Sequence, residues 1–490
     1  MTLRRILLSS LALTLVPTAA VFGQAEPGNV TRADFAAAYV RFERALLENP
    51  LDPSGMERAN REFDALSLEF FMGRHAEAVK RLHELTASLD ETLSADPEAA
   101  ATAALRVRME PAVWVSGAKI PLELHLSALY TPPERKEATR LSLRISGSSP
   151  GETLSFPLLV DWKSVSLGKL VYPLDLKTRR LKPGMYEVAL VTPGGNALLG
   201  STWSVVSRPP DALGRENALR LDKAAAEHPS LAQAWASTAA RNSLLTDASI
   251  GESTARLTLD PEKLLKELEK EIRELERGRN PFRARKGDVW RVMRHGDEEI
   301  PFRVFLSDNA DLDRPLPLVV AFHGAGGDEN MFLEGYGSGI LKRLAGQRKF
   351  LLVSPRTQPF LVERGGEMFE ALVNLLEQEY PLDRKRLYLL GHSLGGMTVN
   401  ALLARGAANV AAACCLCGFQ GFGPAVGATP PVLVVAAALD PIVPPSRLEP
   451  AARRAAEAGR PVAYRLVEGF GHTLVVGRIM SEVLDWLFER

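Results

Sequence analysis

The chain has 490 residues, which exceeds one ordinary domain, so roughly two to four folding units are expected. It carries 59 basic and 59 acidic side chains, and its formal net charge is zero. Binding to nucleic acid or to an anionic membrane surface usually needs an excess of positive charge, so neither is indicated as a partner.

Residues 1–23 are predicted to be a secretory signal peptide. Arg4 and Arg5 precede a short apolar core at residues 6–16, and small residues follow at Ala19 and Ala20. This core is shorter than the ~20 residues that a spanning helix needs, and no later segment is a better candidate. No cysteine follows the core at a lipidation position. We therefore expect a soluble protein that is exported to the periplasm or secreted.

The next region, residues 24–100, has a helical pattern. Thr31 can cap a helix together with Asp34, and apolar residues then recur at helical spacing. Residues 70–78 are similar to the turn of a tetratricopeptide repeat, but one such turn does not make a repeat array. The sequence predicts a small helical hairpin or bundle.

Residues 101–208 change to a period of two. Apolar and polar residues alternate at 122–126, 141–145 and 186–190, and clusters of Gly, Pro and Ser separate these runs. The pattern predicts a small β-sandwich, and residues 181–186 resemble a turn of immunoglobulin-like modules. Such a module could bind a polymer or glycan, or could act as a packing spacer without a ligand.

Residues 209–285 are predicted to be a helical connector. Asp260 is a capping residue followed by Pro261, and leucines at 264, 265, 268 and 275 with Ile272 form one helical face. Because this face lasts only about two heptads, it indicates packing on a neighbouring domain and not a coiled-coil dimer.

The last region, residues 286–490, contains the residues that indicate chemistry. Residues 391–395 read Gly-His-Ser-Leu-Gly after an apolar run at 387–390 and before a helix-compatible segment. A G-x-S-x-G at a strand-to-helix junction is typical of a nucleophile elbow, in which the serine hydroxyl is exposed on a sharp turn. Ser393 is therefore the predicted nucleophile.

Two later positions fit an acid and a base. Asp440 follows an apolar strand at 431–438, and His472 lies in a glycine-flanked loop after a predicted strand at 462–467. In such a site His472 takes the proton from Ser393, and Asp440 orients the imidazole ring and stabilises its charged form.

With these residues in place, region 286–490 resembles the α/β-hydrolase superfamily. The order nucleophile, acid, base is the order of that family. The pairing of residues 323–328, His-Gly-Ala-Gly-Gly-Asp, with residues 391–397 is most similar to polyhydroxybutyrate depolymerases and feruloyl esterases, and then to carboxylesterases. The resemblance implies an α/β-hydrolase fold with a mostly parallel, doubly wound sheet, preceded here by the helical segment and the β-sandwich.

The resemblance also implies the remaining site residues. The family forms its oxyanion hole from two backbone N–H groups, here those of Leu394 and Ala325. Gly324, Gly326 and His392 are assigned to the substrate-binding surface, with His392 expected to pack or hydrogen-bond and not to act as an acid or base. The implied function is an exported serine hydrolase that cleaves carboxylic esters, small or polymeric, through an acyl-enzyme and without a cofactor.

All three cysteines, Cys414, Cys415 and Cys417, lie in or next to the apolar run 410–416. A structural metal site would need four ligands, and the sequence has no second cysteine cluster. We expect these residues to be buried, reduced core residues of a strand, and we expect no metal site.

Two alternatives and one structural question stay open. The chain could be a serine peptidase of the prolyl oligopeptidase type, or a binding protein whose hydrolase domain is inactive. Only residues 418–429 separate two predicted strands where the family often carries a lid. The site is therefore expected to be open on that side, unless the β-module or the helices supply a wall. The natural substrate and the oligomeric state do not follow from the sequence.

Overall fold

The computed structural model describes residues 30–135, 137–147, 152–168, 170–176, 181–246, 259–407, 409–423 and 428–490. The predicted signal peptide, 1–23, lies outside the described residues. In the described part of the chain, no helix is both long enough and apolar enough to cross a membrane.

Helices open the described chain: α1 (Arg32–Glu48), α2 (Pro53–Phe71), α3 (His75–Ser88), α4 (Glu91–Ala95) and α5 (Ala99–Ala103). Thr31 and Asp34 form the predicted capping box at the start of α1. Gly73 has a φ of 78°, a conformation that glycine adopts at low cost, and it joins α2 to α3. The helical hairpin predicted around residues 70–78 is present.

Eight strands and one short helix follow: β1 (Leu105–Glu110), β2 (Val113–Val115), β3 (Leu122–Ala128), β4 (Thr139–Gly147), β5 (Thr153–Val160), α6 (Trp162–Ser166), β6 (Leu170–Leu174), β7 (Gly184–Val191) and β8 (Ala197–Val206). They form a three-stranded sheet, β1-β3-β6, and a five-stranded sheet, β2-β8-β7-β4-β5. Inward-facing side chains of both sheets share one apolar core, with Leu124, Val188 and Trp203 at its centre. The predicted β-sandwich is confirmed.

The connector consists of α7 (Pro210–Glu227), α8 (Ala232–Thr246) and α9 (Pro261–Glu276). Asp260 caps α9, as the sequence predicts. The apolar face of α9 is buried against α7, α8 and the strands β7 and β8, so this helix packs within the chain.

The C-terminal part contains strands β9 (Gly287–His295), β10 (Glu298–Leu306), β11 (Leu316–Phe322), β12 (Leu351–Pro355), β13 (Leu382–His392), β14 (Val410–Leu416), β15 (Val432–Ala437) and β16 (Val462–Val467). Its helices are α10 (Ile340–Arg348), α11 (Gln358–Leu361), α12 (Gly365–Glu379), α13 (Leu394–Ala404), α14 (Pro445–Glu457) and α15 (Val475–Phe488).

One eight-stranded sheet has the order β16-β15-β14-β13-β11-β12-β10-β9. The six strands from β11 to β16 run parallel, and β10 pairs antiparallel with both of its neighbours. Apolar clusters cover both faces, which explains the continuous apolar runs in the sequence. This order and these directions are those of the α/β-hydrolase fold, so the predicted fold is confirmed.

The N-terminal helices pack directly on this domain. The cluster that contains Phe42, Phe63 and Leu82 also contains Leu474, which lies two residues beyond His472. The helical region therefore shares a hydrophobic core with the loop that carries the predicted base.

Candidate active site

Ser393 occupies a strained turn between β13 and α13. Its backbone has a φ of 54° and a ψ of −116°, an uncommon conformation for a residue with a side chain. Neither neighbouring glycine leaves room for a side chain. A Cβ at Gly391 would lie 2.1 Å from the carbonyl oxygen of Gly395, and a Cβ at Gly395 would lie 1.8 Å from the carbonyl oxygen of Phe322. Both flanking glycines are thus required by the close approach of backbones.

Asp440 and His472 are joined by a hydrogen bond of 2.7 Å between Oδ2 and Nδ1. Asp440 follows β15, and His472 lies in the loop between β16 and α15. The other carboxylate oxygen, Oδ1, accepts from the backbone N–H groups of Ile442 and Val443, each at 2.8 Å. The carboxylate is therefore held on both oxygens, with its Oδ2 directed at the imidazole.

The environment keeps Asp440 ionised. Burial acts to raise the pKa of this carboxyl, but the hydrogen bond and charge interaction with His472 and the two backbone N–H groups outweigh it and lower the pKa. A carboxylate that stays charged near neutral pH can stabilise a positive imidazole.

The glycine-rich loop after β11 lies against Ser393. A Cβ at Gly324 would be 3.3 Å from the Cβ of Ser393, so this loop and the elbow are in contact. Ala325 and Gly326 are exposed at the surface of this loop. Leu394 is the first residue of α13, so its N–H has no acceptor within the helix. Both predicted oxyanion donors thus lie on the two segments that meet at Ser393.

A buried hydrogen-bond chain joins the glycine-rich loop to His472. The His472 carbonyl accepts from His392 Nε2 at 2.8 Å, so His392 Nδ1 accepts from the Tyr336 hydroxyl at 2.7 Å. The Tyr336 oxygen in turn accepts from the N–H of Gly324 at 3.2 Å. Burial is the main cause that lowers the pKa of His392 to about 3, so the ring stays neutral.

The assignment of Gly324 and His392 to the substrate-binding surface stays a prediction. Both residues are buried, and their polar groups are engaged within the protein. His392 contacts the loop of His472 through its Nε2. Tyr336 has no motif of its own in the sequence, so sequence reasoning missed it.

Cys417 was also missed as a neighbour of the site. Cys414 and Cys415 are core residues of β14, as predicted, but Cys417 lies just beyond the strand with a φ of 49°. The three atoms Cys417 Sγ, one Asp440 oxygen and one His472 nitrogen lie within 4.8 Å of one another. Burial raises the pKa of the Cys417 thiol well above its ordinary value, and the Asp440 charge adds to this. Among the described residues, this is the one group of three His, Cys, Asp or Glu side chains close enough to share a metal ion.

The end of α2 forms a wall beside the glycine-rich loop. A Cβ at Gly326 would lie 3.0 Å from Phe70 Cε1 and 3.4 Å from Phe71 Cε1. Arg32 donates to the Gly326 carbonyl at 3.2 Å and pairs with Asp328 at 3.3 Å. The sequence left open whether the helices supply a wall, and on this side the N-terminal helices do so.

No protein-family model matches the sequence, and no curated protein is detectably similar to it. Solved structures do resemble the chain in fold. A thermostable esterase matches at 16% identity and a TM-score of 0.38, over 79% of this chain and 99% of its own. The feruloyl esterase module of Clostridium thermocellum, bound to sinapinate, matches at 15% identity and a TM-score of 0.34, over 39% and 84%.

An S-formylglutathione hydrolase of Agrobacterium tumefaciens matches at 17% identity and a TM-score of 0.35, over 42% of this chain and 96% of its own. Likenesses at these identities and TM-scores carry no argument about activity.

Proposed function

We propose that this protein is a serine hydrolase that cleaves carboxylic esters through an acyl-enzyme. The observation that carries the proposal is the combination of a serine on a strained, glycine-flanked turn with a buried Asp440–His472 hydrogen bond. The exposed glycine-rich loop in contact with Ser393 supports it, because ester cleavage needs N–H donors at the reacting carbonyl.

In the proposed reaction, Ser393 Oγ attacks the acyl carbonyl while His472 Nε2 takes its proton. Asp440, hydrogen-bonded to Nδ1, keeps the proton of the neutral ring on that nitrogen and stabilises the imidazolium. The N–H groups of Leu394 and Ala325 stabilise the negative oxygen of the tetrahedral intermediate. His472 then protonates the leaving alcohol, and a water molecule releases the acid by the same steps. The proposed steps use no metal and no organic cofactor.

One assay separates the proposal from its alternatives. We expect the wild type to hydrolyse p-nitrophenyl acyl esters, to leave peptide p-nitroanilides uncleaved, and to lose ester hydrolysis in Ser393→Ala. Preferential cleavage of the anilides would support a serine peptidase. Absence of both activities in a folded protein would favour the inactive binding protein.

Export belongs to the proposal as well, and its support is the predicted signal peptide at residues 1–23. The test is N-terminal sequencing of the protein from the periplasm and the medium of the expressing cells. A mature chain that begins near residue 24 supports export, and an intact Met1 in the cytoplasmic fraction contradicts it.

A further inference from the structure

The loop that carries His472 is held from outside the hydrolase domain, by the side chains of α2. The backbone N–H of Gly471 donates to Asn60 Oδ1 at 2.7 Å, and the N–H of His472 donates to Asp64 Oδ2 at 2.9 Å. All four of these groups are buried. A buried backbone N–H without an acceptor is costly, so these two acceptors matter to the loop.

The fold of α2 holds both acceptor side chains in position. Asn60 and Asp64 are four residues apart and therefore lie on the same face of α2. They are 0% and 2% exposed, although both are polar. Asn60 Nδ2 donates to the carbonyl of Met56 at 2.8 Å, which directs the amide oxygen toward Gly471. One turn of helix thus presents two oxygens to two consecutive N–H groups of the loop.

Gly471 shows how closely α2 and the loop fit. A Cβ at this position would lie 2.1 Å from Asp64 Oδ2. The φ of Gly471 is not in the left-handed region, so the backbone conformation itself would accept another residue. The glycine is needed because Asp64 occupies the space that a side chain would fill.

With these contacts, each polar group of the His472 backbone has a partner. Asp64 accepts from its N–H, and His392 Nε2 donates to its carbonyl at 2.8 Å. Asp440 holds Nδ1 of the ring. The partner of the carbonyl lies on the nucleophile elbow, whereas the partner of the N–H comes from a helix 408 positions earlier in the chain.

We propose that Asn60 and Asp64 are positioning residues for His472, so that α2 is a working part of the active site. The proposal rests on the proposed function, because it assigns these residues to the placement of the general base. Neither side chain contacts the reacting atoms. Their effect is to fix the backbone that carries the imidazole ring of His472.

The acceptor at Asp64 is available in both of its protonation states. Burial raises the pKa of Asp64 to about 6, the charge of Asp440 contributes in the same direction, and the N–H of His472 acts against both. When the carboxyl is protonated on Oδ1, Oδ2 can still accept from His472. The positioning role therefore does not require a charge on Asp64.

The first test compares Asp64→Ala with the isosteric Asp64→Asn, which retains an acceptor oxygen. For Asp64→Ala we expect kcat on a p-nitrophenyl ester to fall about 10- to 100-fold with little change in KM, since small misplacement of a catalytic group costs about this much. Asp64→Asn is expected to stay within about fivefold of the wild type. Ser67→Ala is the matched control, because Ser67 is a buried polar residue of α2 that donates to Phe63. We expect Ser67→Ala to leave kcat unchanged.

Two outcomes of this test would overturn the proposal. One is an Asp64→Ala variant with wild-type kcat, and the other is an Asp64→Asn variant as impaired as Asp64→Ala. Labelling of wild-type Ser393 by a fluorophosphonate probe, measured in the same samples, keeps the two questions apart. A wild type that is not labelled contradicts the proposed function, whereas equal labelling rates in wild type and Asp64→Ala contradict only the positioning role.

A second test uses Gly471, and its single substitution is informative even where Asp64→Ala folds poorly. Gly471→Ala in the wild type is expected to lower kcat about 10- to 100-fold, because the new methyl group collides with Asp64. In the Asp64→Ala background the same change should cost less than about threefold, since the space is then free. Equal losses in both backgrounds would contradict the contact. Thermal unfolding of each variant verifies that the native fold is compared.

Discussion

At the scale of single residues, Ser393, His472 and Asp440 have unequal roles in the proposed mechanism. There, Ser393 and His472 take part in bond making and proton transfer, whereas Asp440 orients the ring and stabilises its charged form. The lowered pKa of Asp440 fits this role, because only an ionised carboxylate stabilises the imidazolium.

Substitutions of these residues should therefore lower kcat to different extents. We expect Ser393→Ala and His472→Ala to lower kcat on the order of 10⁴- to 10⁶-fold, with Asp440→Asn at the milder end of that range. Steady-state kinetics on a p-nitrophenyl ester measures this directly. Near-normal turnover in Asp440→Asn would mean that another carboxylate orients His472.

Glu43, which lies outside the proposed catalytic residues, is expected to make the stability of the protein depend on pH. It is buried in α1 and accepts from the Tyr39 hydroxyl at 2.6 Å. Burial raises its pKa to about 7, although the hydrogen bonds from Tyr39 and from the backbone N–H of Gly337 act in the opposite direction. A carboxyl whose pKa is higher in the folded state favours folding at low pH, and this contribution is lost as the pH rises through about 7.

We therefore expect the free energy of unfolding of the wild type to fall, relative to Glu43→Gln, by about 2 to 3 kcal/mol between pH 5 and pH 8. Urea unfolding of both proteins across that range is the measurement. Parallel pH profiles of the two proteins would show that Glu43 has an ordinary pKa in the folded protein.

At the scale of elements, we expect the end of α2 to affect which substrates fit. Phe71, whose ring lies beside Gly326, and the next residue, Met72, are 52% and 58% exposed. The described residues between β14 and β15 contain no helix that could act as a lid. The apolar surface near Ser393 is thus limited, and α2 provides part of it.

Each methylene group of an acyl chain contributes about 0.8 kcal/mol to binding only where the protein buries it. Because the apolar surface is limited, kcat/KM on acyl esters is expected to be highest for short chains of about two to six carbons. Phe71→Ala should lower kcat/KM for a hexanoate ester several-fold more than for an acetate ester. Leu219→Ala is a control at another exposed apolar residue, on α7. A steady rise of kcat/KM up to long fatty-acyl chains would refute this account of the site.

At the scale of the whole molecule, the sequence predicts the features that depend on residues close together in the chain. The elbow around Ser393, the positions of Asp440 and His472 after strands, and the cap of α9 each depend on neighbours in the chain. Tyr336, Cys417, Asn60 and Asp64 could not be found in this way. Their roles arise from contacts between distant segments, and a buried Asn on a helix has the same local sequence whether or not a loop packs on it.

The same contacts join the N-terminal helices to the hydrolase domain. The helices that precede the β-sandwich in sequence share a hydrophobic core with Leu474, hold the loop of His472 and lie against the glycine-rich loop. The hydrolase domain alone would leave the N–H groups of Gly471 and His472 without these acceptors. The candidate active site therefore depends on contacts from outside residues 286–490.

The most direct test of the central claim is to treat the purified protein with a fluorophosphonate probe and to locate the adduct by intact mass and peptide mapping. The account predicts one adduct per chain, on Ser393, and none in Ser393→Ala. Labelling that persists in Ser393→Ala, or a folded wild type that the probe does not label, would contradict it.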